Sequence, residues 1–221
     1  MKKNDIKQEL GAVTFLDVLG WKGIWQQNDT AIEALYSLIK STVVEAAIIS
    51  QEYENIKEFR GKSEITKVLS ISDTIAFFTS GPSDKAVEIQ AKVCSLLLPY
   101  ALEQELPLRG AISYGEYTIK DNIMLGYAVD EAASWHEFTD WIGVVLSPSA
   151  QMKVNDKAIQ KITSYEKIPY KRNEKNLNLC VDWKFSDRDR LDQVISRKGP
   201  HTPEIAPKYL NTLAFLNRTQ S

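Results

Sequence analysis

The order of apolar runs in this 221-residue chain predicts an α+β fold of ferredoxin-like layout, an antiparallel-rich sheet with helices packed on it. Three observations carry that expectation. An apolar run from Ala12 to Gly20 has strand character and opens the pattern. Two alternating runs between Val68 and Phe78, with Ser72-Asp73 between them, follow a helical segment and read as a hairpin. A further strand-like run, Leu108 to Thr118, follows a second helical segment. Strand, helix, hairpin, helix, strand is the resulting order.

Taken in turn, the first strand ends in Asp17 and Gly20. Asn28 or Asp29 is placed to cap a helix whose inward face is expected to be Ile32, Leu35, Tyr36, Ile39, Val43, Ala46 and Ala47, at spacings of three and four. Residues 53–63 are polar, and Arg60-Gly61 turns the chain into the hairpin. Gly81-Pro82-Ser83-Asp84 reads as a turn into a capped helix from Lys85 to about Glu105, with Val87, Ile89, Val93, Leu96 and Leu97 inward. Pro99 lies in that helix and predicts a kink or a break. Asn122 to Leu125 forms a short return strand, and Gly126 opens a helix to about Phe138. Trp141 to Leu146 is a buried strand, Ser147-Pro148-Ser149 starts another helix, and Ile162 to Pro169 and Leu177 to Trp183 are two more strands. Beyond them, Ile205, Tyr209, Leu210, Leu213 and Leu216 make one amphipathic stretch. The expected division is a main domain over 10–185 and a C-terminal helical appendix over 186–221.

With 43% hydrophobic and 25% charged residues, the composition is that of a soluble globular protein. A net charge of −2 lends no support to nonspecific nucleic-acid binding, which wants a basic face. No apolar run reaches the ~18 residues of a membrane span. Met1-Lys2-Lys3-Asn4-Asp5 leads into polar residues, not the apolar core of a signal peptide. Cys94 and Cys180 sit in apolar surroundings and read as core thiols. These features together predict a cytoplasmic protein.

Asp17 and Asp73 are the residues of greatest chemical interest. Two carboxylates brought together from separate strand ends can hold Mg²⁺ or Mn²⁺, which take oxygen ligands and keep positions open for substrate phosphates. That is the chemistry of two-metal phosphoryl and nucleotidyl transfer. Against it stands the plain reading of strand-end acids that face water.

A third segment sharpens the choice. Leu108-Arg109-Gly110-Ala111-Ile112-Ser113-Tyr114-Gly115 is followed by Gly126-Tyr127-Ala128-Val129-Asp130-Glu131-Ala132-Ala133-Ser134. In motif order the chain resembles the class III nucleotidyl cyclase catalytic domain over about residues 10–185. That family has a Phe-x-Asp-x-x-Gly strand end, here Phe15, Asp17 and Gly20, and a hairpin aspartate, here Asp73. Its Arg-x-Gly-Ile-x-x-Gly strand falls on Arg109, Ile112 and Gly115. Its Gly-x-x-Val-Asn-x-Ala-x-Arg helix falls on Gly126, Val129, Asp130, Ala132 and Ser134.

The resemblance implies that Asp17 and Asp73 hold two Mn²⁺ (or Mg²⁺) ions per site, with the Val18 carbonyl as a further ligand. It also implies that the amides of Leu19, Gly20 and Trp21 cradle a triphosphate, and that a late basic residue, Lys171 or Arg172, contacts it. Asp130 and Ser134 would complete the site from a second subunit, making a homodimer with composite sites. Two departures bear on substrate. Purine cyclases read the base through polar residues at the positions of Leu69 and Ile123, and apolar side chains cannot bond a purine edge. The helix asparagine is replaced by Asp130 and the transition-state arginine by Ser134. The single-domain chain, the Ser-x-Ser-Asp hairpin and the Arg-Gly-Ala-Ile strand are most similar to the bacterial pyrimidine cyclases of the Pycsar antiphage system, which make cyclic UMP or cyclic CMP for a separate effector protein. That implies UTP or CTP as substrate. A catalytically inactive nucleotide-sensing module and a structural ferredoxin-like interaction domain are the alternatives.

The two histidines, His136 and His201, are too few and too far apart for a metal cluster, and His136 reads as a surface or capping residue. Trp21, Trp25, Trp135, Trp141 and Trp183 read as core or interface residues. Tyr53, Phe59 and Arg60 are candidates to line a base pocket. Asp187-Arg188-Asp189-Arg190 reads as a solvated helix start, and Glu45, Glu52, Glu54, Glu58 and Glu64 as a solvated face.

Overall fold

A computed structural model of the chain describes residues 8–21, 30–121, 123–154, 158–171, 177–197 and 202–218. Its elements, in chain order, are β1 (Glu9–Val18), α1 (Ala31–Gln51), β2 (Thr66–Ile71), β3 (Thr74–Ser80), α2 (Ser83–Glu103), β4 (Leu108–Lys120), β5 (Ile123–Leu125), α3 (Tyr127–Trp135), β6 (Gly143–Leu146), α4 (Pro148–Val154), β7 (Ile162–Ser164), β8 (Leu179–Val181), α5 (Arg188–Arg197) and α6 (Ala206–Leu216). The sheet runs β2-β3-β1-β4-β6-β8-β7, with β5 hairpinned onto β4. All pairs are antiparallel except β4 with β6, which α3 connects. The expected α+β layout is the observed one.

Side chains alternate across β1 as strand geometry requires. Ala12, Leu16 and Val18 enter the main core with α1, α2 and α4. Val13 and Phe15 point the other way, into a smaller cluster with Ala76, Phe78 and Tyr117 under Ala128, Val129 and Ala132 of α3. The sheet therefore has a heavily covered first face and a second face roofed by α3. Gln90, wholly buried in α2, bonds the Thr14 hydroxyl at 2.5 Å and the Ala12 and Phe77 carbonyls at 2.7 and 3.2 Å. This polar pin fixes α2 against β1 and β3, since a buried amide left unpaired would cost about 1–3 kcal/mol.

Several sequence expectations shift. The buried face of α1 is Ala31, Leu35, Leu38, Thr42, Ala46 and Ile49, while Ile32, Tyr36 and Val43 are exposed. Apolar residues cover more than half of this helix, so spacing alone does not fix which stripe meets the core. Leu96 is likewise exposed on α2. The α2 helix passes through Pro99 without a break, held by buried Leu97, Leu98, Ala101 and Leu102 on both sides of it. Of the strand expected over 162–169 only Ile162–Ser164 pairs regularly, and of 177–183 only Leu179–Val181. Helix α5 places Leu191 and Val194 in the main core, and α6 sets Phe215 among Trp141, Tyr165 and Trp183. Asp187 caps α5 by accepting the Arg190 amide at 2.8 Å. Asn28, Asp29, Trp25 and His201 lie outside the described residues. Among the described residues, no helix is long and apolar enough to cross a membrane.

Candidate active site at the end of the central strands

The register of three neighbouring strands builds the site. Asp17, next to the last residue of β1, lies between Thr74 of β3 and Arg109 of β4. Asp73 occupies the β2–β3 turn one residue before Thr74, after Ser72 at φ +56°. Since Asp17 follows Val13 and Phe15 at two-residue steps, its carboxylate points to the second face, toward the end of α3.

Arg109 closes on that carboxylate with Nε at 3.0 Å and Nη2 at 2.8 Å, both donating to Oδ2. Its Nη1 donates to the Glu137 carbonyl at 3.3 Å, just past α3. The two side chains are only 11% and 14% exposed. Burial pushes the Asp17 pKa up, the Arg109 guanidinium and then His136 pull it back, and Asp73 adds a smaller push upward. That last influence is the weakest of the four. The net upward direction means desolvation outweighs the ion pair.

Helix α3 is aimed at this end of the sheet by backbone contacts at its start. The Ser113 hydroxyl donates to the Ala128 carbonyl at 2.5 Å, tying the first turn to β4. Gly126 sits at φ +131°, where an added Cβ would lie 2.5 Å from the Glu116 carbonyl oxygen, so the close crossing needs glycine. At its far end, His136 is buried, with Nδ1 2.6 Å from the Ala133 carbonyl and its ring 6.0 Å from Phe15. Of the surface or capping role expected for His136, the capping half holds, since it caps the C-terminus of α3, but it is buried beside Phe15 and not on the surface.

The other expected site residues distribute unevenly. Leu19 donates its amide to the Pro107 carbonyl at 2.8 Å, and Trp21 donates to the Val18 carbonyl at 3.3 Å. Those two amides are committed in this conformation, so the three-amide cradle reduces to Gly20, at φ +77° with open space around it. Lys171 is brought in: burial lowers its pKa first, and the charge of Arg109 lowers it further. Arg172 lies outside the described residues. Leu69 packs with Ile119 and Met124 against the second cluster, while Ile123 is 64% exposed on β5. Asp130 and Ser134 face solvent from α3, and the Ser134 hydroxyl donates to the Asp130 carbonyl at 2.7 Å. They point away from the sheet that carries Asp17. Tyr53 and Phe59 are not pocket residues: both are buried in the main core, Tyr53 bonding Glu88 at 2.5 Å, and Arg60 reaches the Asn55 carbonyl at 3.4 Å.

The site offers hard oxygen donors of the kind that Mg²⁺ and Mn²⁺ prefer. Both Arg109 bonds fall on Asp17 Oδ2, which leaves Oδ1 clear of the guanidinium; the Val18 carbonyl is next in the chain, and Asp73 precedes Thr74, the register partner of Asp17. No group of three or more His, Cys, Asp or Glu side chains suited to a metal occurs among the described residues. The remaining coordination would therefore fall to water and phosphate oxygens, as is usual for Mg²⁺. Sequence reasoning missed Arg109 as the partner of Asp17. The available signal was a lone arginine at the start of an otherwise apolar strand.

No protein-family model and no curated protein matches the sequence. By fold the chain is similar to the catalytic core of a rhodopsin-guanylyl cyclase with converted specificity in complex with ATPalphaS, at 14% identity and TM-score 0.51, over 81% of this chain and 98% of that one. It also aligns with an adenylate/guanylate cyclase/hydrolase from Silicibacter pomeroyi at 14% identity and TM-score 0.48, over 83% and 100% of the two chains.

Proposed function

From a fold shared with class III cyclase catalytic domains, we propose that the chain is a nucleotidyl cyclase that converts UTP, or CTP, to the 3′,5′-cyclic nucleotide and pyrophosphate. The observation that carries this reading is that β1 and the β2–β3 turn, neighbours in the sheet, bring Asp17 and Asp73 to the same end of it. These residues, with the Val18 carbonyl, would hold two Mn²⁺ or Mg²⁺ ions. When bound, the ions would make the ribose 3′-hydroxyl a better nucleophile and neutralise the phosphates. Asp17 would supply charge from a partly desolvated position, where its attraction for a cation exceeds that of a surface carboxylate. Arg109 and Lys171 would meet the triphosphate with positive charge, and the open turn at Gly20 would let phosphate approach the backbone.

The outward position of Asp130 and Ser134 supports a homodimer in which each α3 faces the partner's strand ends, so that a monomer is inert. Base choice rests on Leu69 and Ile123, apolar where purine readers are polar. The cyclic nucleotide serving a separate effector in cytoplasmic antiphage defence rests on the sequence resemblance to Pycsar cyclases. A second reading, a catalytically inactive nucleotide-sensing module, is favoured by Arg109 already neutralising Asp17 and by an uncharged Ser134 spent on its own helix. Purified protein incubated with each of the four NTPs and Mn²⁺, with products identified by mass spectrometry, separates these readings. Cyclic UMP or cyclic CMP supports the first. Nucleotide binding without product supports the second, and neither binding nor product overturns both.

A further inference from the structure

The main core uses only part of the apolar surface of α1. Ile32 is 63% exposed, Tyr36 59% and Val43 48%. With Ile39 and Ala47 they follow one another at steps of four, three, four and four, a single stripe along the helix. The neighbours of α1 show where this stripe points. On one flank α2 packs against it, through Ser37 with the Tyr100 hydroxyl at 3.1 Å and Lys92 with Glu52 at 2.7 Å. On the other flank Val43, Ala47 and Ser50 line a cavity of about 380 Å³ whose far wall is Ile65, Thr66 and Val68. The stripe therefore looks outward past β2.

Strand β2 is the outermost strand of the sheet, so one row of its backbone N–H and C=O groups has no strand partner among the described residues. A six-residue unprotected edge is a template for further pairing. We propose that a second copy of this chain covers both features through one two-fold axis: β2 pairs antiparallel with β2 of the copy, and the α1 stripes pack side by side over the joined sheet. Antiparallel edge pairing with the axis normal to the sheet keeps both copies of α1 on the same face, which is what lets one operation satisfy strand and helix together. Self-pairing centred on Val68 sets Lys67 opposite Leu69 and Thr66 opposite Ser70, so no like charges meet across the new ladder. The exposed stripe offers on the order of 400 Å² per protomer and the strand edge roughly half as much again, together about 600 Å² per partner, at the low end of standard stable interfaces. This surface lies at the β2 edge and on the first face, apart from the α3 side where the catalytic homodimer is proposed.

Sedimentation of the full chain across a concentration series tests the proposal, with three variants. Val43→Lys should weaken self-association at least tenfold and halve the particle mass. Ile48→Lys, equally exposed at 51% but off the stripe, should leave the mass unchanged. Val43→Cys should cross-link on mild oxidation, because Cys94 and Cys180 are buried. Amide exchange in 66–71 should slow as concentration rises. An unchanged mass for Val43→Lys with no cross-link overturns the interface, as does equal weakening by both lysine variants, which marks nonspecific apolar association. Fast exchange of β2 at every concentration also overturns it and leaves the edge to a foreign strand. Loss of only the α3-side dimer would instead appear as a mass change in Asp130 variants with Val43 intact.

Discussion

Replacing Asp17 with alanine in metal-free protein should destabilise the fold, and the structure indicates by how much. The substitution removes both charge-assisted bonds to Arg109, at 2.8 and 3.0 Å, and leaves a guanidinium only 11% exposed without its anion. Breaking one side of a buried ion pair costs about 3–5 kcal/mol. Two features favour the low end. Nη1 keeps its bond to the Glu137 carbonyl, and burial already works against the Asp17 charge. At roughly 3 kcal/mol, a chain of this length should lose about 6–12 °C in Tm. The double variant Asp17→Ala/Arg109→Leu should recover most of that loss, since an apolar pair in place of a buried ion pair is often neutral. Asp73→Ala, a change in the turn, should stay within ~0.5 kcal/mol of the parent. Calorimetry with a chelator present reads all three. If Asp17→Ala melts with the parent, or the double variant melts no higher than Asp17→Ala, the ion pair is not the coupled unit described.

Other outcomes follow from the same geometry. Asp73→Ala and an Asp130 variant should each lose cyclase activity by several orders of magnitude, and mixing them should restore part of it if the site is shared across a two-fold; no recovery in any mixture refutes the composite site. UTP should exceed ATP in kcat/KM by ~10²-fold or more if Leu69 and Ile123 report base choice, and cyclic AMP as the main product refutes that. Gly126→Ala should cost about 3 kcal/mol in urea titration, from its left-handed backbone and the clash with Glu116; a neutral effect would show that α3 can shift its entry. Burial pushes both thiols well above their ordinary pKa, so neither Cys94 nor Cys180 should react with a thiol reagent at pH 8 until the protein unfolds.

The strand framework was legible because β1, β2, β3 and β4 each alternate or end in a recognisable turn, and that was enough to place Asp17 and Asp73 at strand ends. The register that sets Asp17 opposite Arg109 was not, because it depends on where two strands far apart in sequence align. The fate of the Leu19 amide depends in the same way on where Pro107 falls. The phase of α1 was illegible for a different reason: Ile32, Tyr36 and Val43 are apolar for a purpose the isolated core does not reveal. Tyr53 and Phe59, in a polar stretch, gave no periodic signal of the core they enter.

The central position of β1 has a consequence for how the protein is made. Its two partners, β3 and β4, lie far along the chain, and Arg109 is 92 residues from Asp17. During synthesis the apolar strand Ala12–Val18 must therefore wait until β3 has left the ribosome to pair on one edge, and until β4 has followed to pair on the other. Such long-range pairing slows folding and lengthens the exposure of a sticky segment. Overproduced protein should accordingly fail by aggregation of early chains, and slower translation or a chaperone that shields β1 should raise its yield.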